Sequence, residues 1–271
     1  MMPRLRALLL LGFWFSSIVV IAPLLIAICR ITGNEDTIYT PVRRFIRAGL
    51  AMVGVRVCIT GVDRVDPNKT YIFTPNHQSL IEVPLMITYL KRNLAYLAKK
   101  ELFKYPIFGM GIRLIGCIPV DRSNSPAAIE AARIATEKIR RGKSYAVYPE
   151  GTRSPDGRLL PFKKGAFVMA IDAGVSVVPV SISGCSAIMP KGQIRIFPAT
   201  IQMTVHDPIS TAGYSKENIT ELMERTREKI LSGLTEEERA SWGRRGTGRR
   251  GDTGTRGHGD AGTRRHGDGE R

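Results

Sequence analysis

The sequence predicts an α/β protein: a layered mixed sheet flanked by helices, preceded by an N-terminal hydrophobic membrane helix. Three observations lead there. Residues 7–29 carry no charged side chain. From residue 55 onward, short β-rich runs alternate with stretches of helical pattern. Beyond residue 240 the apolar residues nearly vanish. The chain therefore divides into membrane-anchoring helices over 1–54, an α/β domain over 55–240 and a tail over 241–271.

The 23 residues of the uncharged run span about 34 Å as a helix, enough for a hydrocarbon core of about 30 Å. A cleaved signal peptide has a shorter apolar stretch and small residues at a cleavage site; this run ends in "IAICR", which favours a retained anchor. Pro23 is a kink point, so a re-entrant segment is the alternative to a span. Basic residues flank the run on both sides, at Arg4 and Arg6 and at Arg30, Arg43, Arg44 and Arg47, and leave orientation undecided. Residues 39–54, "YTPVRRFIRAGLAMVG", mix basic and apolar residues as an amphipathic helix on an anionic surface does.

In the α/β region the strand candidates are "VRVCITG", "TYIFTPN", "LAYLAKK", "CIPVDR", "SYAVYPE", "VVPVSIS", "QIRIFP" and "TIQMTVH". Helical patterns lie between them near 80–91, 101–115, 126–141 and 163–173. Alternation of this kind indicates a layered domain with a largely buried sheet. A polar helix over about 215–234 is expected on the surface. The Gly/Arg/Asp/Thr tail has too few apolar residues to form a core and is expected to be disordered.

The net charge is +16; eight arginines against four acids place +4 of it in the tail and +12 in the rest. Such a surplus favours an anionic partner, nucleic acid or an acidic membrane face. The four cysteines, Cys29, Cys58, Cys117 and Cys185, form no C-x-x-C pair and have no histidine at metal-ligand spacing. They read as reduced, buried thiols, with no metal site.

Chemistry concentrates in three stretches. "TPNHQSLIEVP" (74–84) sets His77 between a strand and a helix, the junction where α/β folds build their sites. A neutral imidazole there takes a proton from a hydroxyl, and a carboxylate such as Glu82 orients the ring. "GVSVV" is not a G-x-S-x-G elbow, so the acceptor of that help is a substrate hydroxyl and not a protein serine. The structural alternative is a capping box, with Ser79 at the N-cap and Glu82 at N3. "VYPEGTRSPDGRLLPFKKGAF" (147–167) offers Glu150, Gly151, Thr152, the guanidinium fork of Arg153 and the ammonium of Lys163. "AKKELFKYPIFGMGIRLIGCIPVDR" (98–122) adds Lys100 and ends in Asp121 and Arg122. Finally, Pro179 interrupts "VVPVSI", which suggests an edge strand or a site-shaping bulge.

In this order the blocks resemble those of the glycerolipid acyltransferases, most closely the 1-acylglycerol-3-phosphate (lysophosphatidic acid) acyltransferases. The family pattern N-H-x4-D is matched by Asn76, His77 and, with Glu for Asp, Glu82; E-G-T-R-S is matched by residues 150–154; Pro179 and "FKKGAF" also match. The resemblance covers roughly 40–210 and the hydrophobic N-terminus. It implies His77 as general base, Glu82 as its orienting carboxylate, and Lys100, Arg122, Glu150, Gly151, Thr152, Arg153 and Lys163 as substrate-binding residues. Glu150 would position Arg153 or a substrate hydroxyl. The implied donor is acyl-CoA or acyl carrier protein, the acceptor lysophosphatidic acid, and the product phosphatidic acid, with no cofactor. It implies an anionic membrane surface as partner, no nucleic acid, and residence at the cytoplasmic face of a bacterial inner membrane. The alternatives are another lysophospholipid or glycerol-3-phosphate as acceptor, or a membrane-tethered nucleic-acid or lipid binder without catalysis.

Overall fold

The computed structural model describes residues 2–121, 124–188 and 195–243. Seven strands lie among them: β1 (Arg56–Thr60), β2 (Ile72–Pro75), β3 (Ala95–Lys99), β4 (Ile118–Val120), β5 (Tyr145–Ala146), β6 (Val177–Ser183) and β7 (Thr200–Val205). They form one sheet in the order β1-β7-β6-β2-β5-β3-β4. All neighbours are parallel except β6 and β7, so the sheet is mixed. The helices are α1 (Pro3–Val20), α2 (Ala22–Thr32), α3 (Asp36–Met52), α4 (Glu82–Tyr89), α5 (Pro106–Leu114), α6 (Ser125–Arg140), α7 (Gly165–Ala173), α8 (Cys185–Ile188), α9 (Ile219–Ser232) and α10 (Glu236–Gly243).

Strand side chains alternate between faces, and each face is covered. Phe73, Ala146 and Val178 pack with Leu50 of α3 and Leu85 and Met86 of α4. Their neighbours Ile72, Tyr145 and Val177 pack on the other face with Ile139 of α6, Phe167 of α7 and Leu222 of α9. Helix α9 is therefore half-sunk: its charges face water while Ile219, Leu222, Thr226 and Ile230 are buried.

The connections position the site. The chain leaves β2 through α4 for β3, on one side of β5, and leaves β5 through α7 for β6, on the far side of β2. The loops after the adjacent strands β2 and β5 thus diverge, leaving a crevice at their C-terminal ends, the place where such sheets bind ligands.

The structure refines two expectations and changes two others. The uncharged run is not one straight helix: a bend at Ile21 separates α1 from α2, and Pro23 within the first turn of α2 removes a backbone donor there. Among the described residues, helix α1 alone is long and apolar enough to cross a membrane, and only 11% of it is buried within the molecule. Leu8, Phe15, Val20, Leu24 and Ile31 stand exposed along α1 and α2, while Ala7, Leu10 and Cys29 join the cluster shared with the sheet.

Pro179 is not at an edge, because β6 is central. It lies at a bulge. Val177 faces Ile209 and Val180 faces Val205, so residues 178–179 oppose 206–208, one residue more. The Pro179 carbonyl accepts the His206 N–H (3.0 Å) across this irregular stretch. Arg195–Pro198 of "QIRIFP" form no strand: the Ile196 N–H bonds the Pro3 carbonyl of α1 and the Phe197 N–H bonds Ile188. Gln193 and Ile194 lie outside the described residues, as does the tail beyond 243. Cys58 is exposed on the edge strand β1, whose alternate residues Arg56, Cys58 and Thr60 all face solvent; the other three cysteines are buried, and all four are free thiols.

Just past β2, the Asn76 amide continues the sheet with its side chain. Its Nδ2 donates to the Ile182 carbonyl (2.8 Å) and its Oδ1 accepts the Ile182 N–H (2.7 Å). Replacing Asn76 by Ala orphans both backbone groups in a site that is 1% exposed. The expected cost is about 2–4 kcal/mol of unfolding free energy, measured by urea denaturation in detergent; a cost under about 1 kcal/mol would show the bridge to be dispensable.

Candidate active site

The register of β2 and β5 brings the site together. Phe73 pairs with Ala146, and four residues further along the chain from each stand His77 and Glu150. The two meet: the His77 N–H donates to Glu150 Oε1 at 2.7 Å. Glu150 Oε2 accepts the Leu160 N–H at 2.9 Å, so both carboxylate oxygens hold main chain. The family resemblance implied Arg153 or a substrate hydroxyl for that carboxylate; in the structure it braces the His77 loop. The His77 carbonyl in turn accepts the Ser154 N–H (2.7 Å), knitting the two loops together.

Glu82 is the first residue of α4 and is fully buried. Its Oε2 lies 2.8 Å from His77 Nδ1, and its Oε1 accepts the N–H groups of Gln78 (2.8 Å) and Ser79 (2.9 Å). The Ser79 bond is one half of the capping box the sequence allowed. Helix α4 nevertheless begins three residues later, with Ile81 at its N-cap and no side-chain cap there. Glu82 therefore does both jobs, one with each oxygen. Burial pushes its carboxyl well above the ordinary range, while the two N–H bonds and the charge of Arg153 pull it back. With Nδ1–H donating to Glu82, the neutral ring carries its basic lone pair on Nε2.

Tyr148, which the sequence reading did not single out, stacks on His77 with ring centroids 4.0 Å apart. An aromatic residue two positions before Glu150 was its only sequence signal. Ring and carboxylate together fix an imidazole that is 7% exposed.

The cationic residues are distributed more widely. Arg153 is half-buried and close enough for its charge to act on Glu82. Thr152 is exposed in the same turn. Gly151 adopts φ +70°, and a Cβ there would stand 3.1 Å from the Lys163 side chain, which lies across it. Lys163 itself is exposed, its N–H bonded to the Pro149 carbonyl (2.8 Å). Lys100 follows β3, two strands from β2, and is engaged with Asp121 at 2.5 Å. Arg122 lies outside the described residues. Among the described residues no group of three His, Cys, Asp or Glu side chains could hold a metal ion.

An apolar groove of about 410 Å³ adjoins this edge of the sheet. Leu80 and Val83, from the loop and helix that carry His77 and Glu82, form part of its wall; Trp14 and Leu25 of the N-terminal helices and Phe108 and Ile112 of α5 form others.

Fold and site define a class: an α/β protein that presents a histidine–carboxylate pair at the C-terminal edge of its sheet, next to a large apolar groove. Comparison with known proteins narrows it. Residues 56–183 match the acyltransferase family model. A 1-acyl-sn-glycerol-3-phosphate acyltransferase of Cocos nucifera is 34% identical over 67% of this chain and 60% of its own length. The alpha form from Homo sapiens is 29% identical over 82% of this chain and 79% of its own. The crystal structure of the 1-acyl-sn-glycerophosphate acyltransferase PlsC from Thermotoga maritima superposes with a TM-score of 0.74 at 29% identity, over 86% of this chain and 96% of that one. Residues 56–183 form a domain of the acyltransferase family. It spans only 60% of the coconut relative and 58% of a chloroplast relative from Arabidopsis thaliana.

Glu150 gives the site a pH signature. Burial pushes its carboxyl from 4.5 up to about 7, against the opposing pull of the Leu160 and His77 N–H groups. The folded state holds this proton more tightly than the unfolded chain. Its contribution to stability is therefore full below 4.5 and is lost as pH rises through 7, by about 3 kcal/mol in all. Urea denaturation of wild type and Glu150→Gln across this range isolates the effect. The wild type should lose about 3 kcal/mol relative to the variant; a pH-independent difference would refute it.

Proposed function

We propose that this protein transfers a fatty acyl group from acyl-CoA or acyl carrier protein to the sn-2 hydroxyl of 1-acylglycerol-3-phosphate, forming phosphatidic acid. The observation that carries the reading is the His77–Glu82 contact of 2.8 Å inside a loop braced by Glu150. His77 Nε2 takes the hydroxyl proton as that oxygen attacks the thioester carbon. The carbon–sulfur bond then breaks, and the thiolate leaves with the proton returned from His77. No acyl-enzyme forms. Glu82 keeps the ring in its working tautomer and offsets the imidazolium charge. Arg153 is the cation best placed to meet the acceptor phosphate, because its charge reaches Glu82; Lys163 flanks the same turn. Gly151 and Thr152 shape that turn, and Lys100 extends the positive edge.

The apolar groove takes an acyl chain. Each methylene moved out of water contributes about 0.8 kcal/mol, so both substrates stay with the bilayer and the enzyme must come to them. The exposed apolar residues of α1 and α2 and the arginines of α3 favour attachment to an anionic leaflet, which we assign to the cytoplasmic face of a bacterial inner membrane.

Purified protein in detergent, given 1-acylglycerol-3-phosphate with acyl-CoA or acyl carrier protein, should form phosphatidic acid. His77→Ala should lower kcat by about 10²–10⁴-fold with an unchanged melting curve; near wild-type turnover would end the base assignment. Arg153→Ala should raise KM for the acceptor about tenfold or more while kcat changes less. A loss of folding instead would make Arg153 a structural residue.

A further inference from the structure

Helix α10 lies beyond the span that matches the acyltransferase family, yet it reaches the His77 loop. The contact is Glu238. Its Oε2 serves its own helix start, accepting the N–H (3.2 Å) and hydroxyl (3.0 Å) of Thr235. Its Oε1 serves the site, accepting Gln78 Nε2 (3.2 Å) and the Gly184 N–H just past β6 (3.2 Å). Gln78 follows His77 directly, and its N–H is one of the two donors held by Glu82 Oε1. The other acceptor for Gln78 Nε2 is the Gly157 carbonyl (3.0 Å), in the loop that follows Glu150. Gln78 Oε1 is buried and has no partner among the described residues, so the amide is held by its nitrogen alone. One of its two tethers is Glu238. The carboxylate thus sits where the loops after β2, β5 and β6 converge.

We propose that Glu238 is a positioning residue: acting through Gln78, it holds the loop that carries His77 and thereby couples α10 to turnover. A capping role alone would involve only Oε2 and Thr235. The site-directed role needs Oε1. Losing it leaves Gln78 with a single tether and an unsatisfied carbonyl that can turn to find a donor, and the strain falls on the main chain of Gln78, next to the base. The tether rests on geometry; its effect on turnover rests on the acyl transfer proposed above.

The test uses the full chain in detergent and two readouts, amide hydrogen exchange of residues 76–82 and steady-state kinetics. Glu238→Ala should speed exchange over 76–82 about tenfold without changing that of β6 residues 177–183. It should lower kcat about tenfold or more, with KM for acceptor and donor within about twofold. Glu238→Gln, which keeps one acceptor oxygen for Gln78 and Gly184, should fall between Ala and wild type. Thr235→Ala, which removes the hydroxyl's bond to Glu238 Oε2 and its acceptance of the Glu238 N–H but leaves Oε1 in place, should match wild type in both readouts. Unchanged exchange in Glu238→Ala overturns the proposal, as does faster exchange with unchanged kcat. So does Thr235→Ala reproducing the Glu238→Ala losses, which would reduce Glu238 to a helix cap. If Glu238→Ala fails to fold, Glu238→Gln against Thr235→Ala decides: faster exchange in the former alone supports the tether, and equality overturns it. Wild type that makes no phosphatidic acid while exchange responds to Glu238 would sink the reaction reading and leave the tether standing.

Discussion

The rest of the site depends on one buried carboxylate. Glu82 is fully enclosed and is met by the His77 ring and the N–H groups of Gln78 and Ser79. Removing a carboxyl from water carries a large desolvation cost, visible in the rise of its proton affinity. That cost is tolerable only with several directed donors, and the loop from His77 to Ser79 supplies them by curling over the start of α4. The same bonds that solvate Glu82 dictate the loop's shape. The His77 imidazole is therefore oriented by the residue that the loop must solvate in order to fold.

A second carboxylate works from the opposite side. Glu150 holds the His77 main chain from β5, while Glu82 holds its side chain from α4. Neither element alone could fix the imidazole. The divergence of the β2 and β5 connections puts both acids within reach of one histidine, and Tyr148 closes the remaining face by stacking. Two buried acids so close repel each other when ionised, and Glu150 indeed adds to the rise at Glu82. Their separate sets of N–H donors and the charge of Arg153 offset that repulsion.

Much of this was legible in the sequence, because periodicity is local. The β-branched runs gave β1, β2, β3, β4, β6 and β7, and the apolar spacing gave α4 to α7 within a few residues of their ends. What failed depended on tertiary context. "QIRIFP" has strand composition, but in the fold its backbone donors go to α1 and α8 and not to a ladder. For Pro179 the sequence left edge or bulge open; the bulge holds, and it lies in the opposing chain, which the proline's own strand cannot announce. Cys58 reads as core by residue type and is exposed because β1 is an edge. Within the site, His77 and Glu82 were legible at a spacing of five. The partners of Glu150 were not: backbone donors carry no residue signature, so the His77 and Leu160 N–H groups could not be named before the strands were in register. Tyr148 and Glu238 were missed for a related reason, since an aromatic in a strand and an acid in a polar helix both have ordinary explanations.

The substitution of Glu for the family's Asp also makes sense at this level. Glu82 begins α4, so its backbone is fixed by the helix, and the extra methylene must be absorbed by the loop. The loop absorbs it by sending two successive N–H groups to one carboxylate oxygen and leaving the other for the ring. A longer acid at a helix start reaches back over more backbone than a shorter one, and here that reach extends from Ser79 to His77. One side chain at the helix start thus holds both the His77 ring and the main chain that follows it. On the proposed reaction, Glu82 serves as the orienting carboxylate in the family's Asp position and leaves the Nε2 lone pair of His77 available to a substrate hydroxyl.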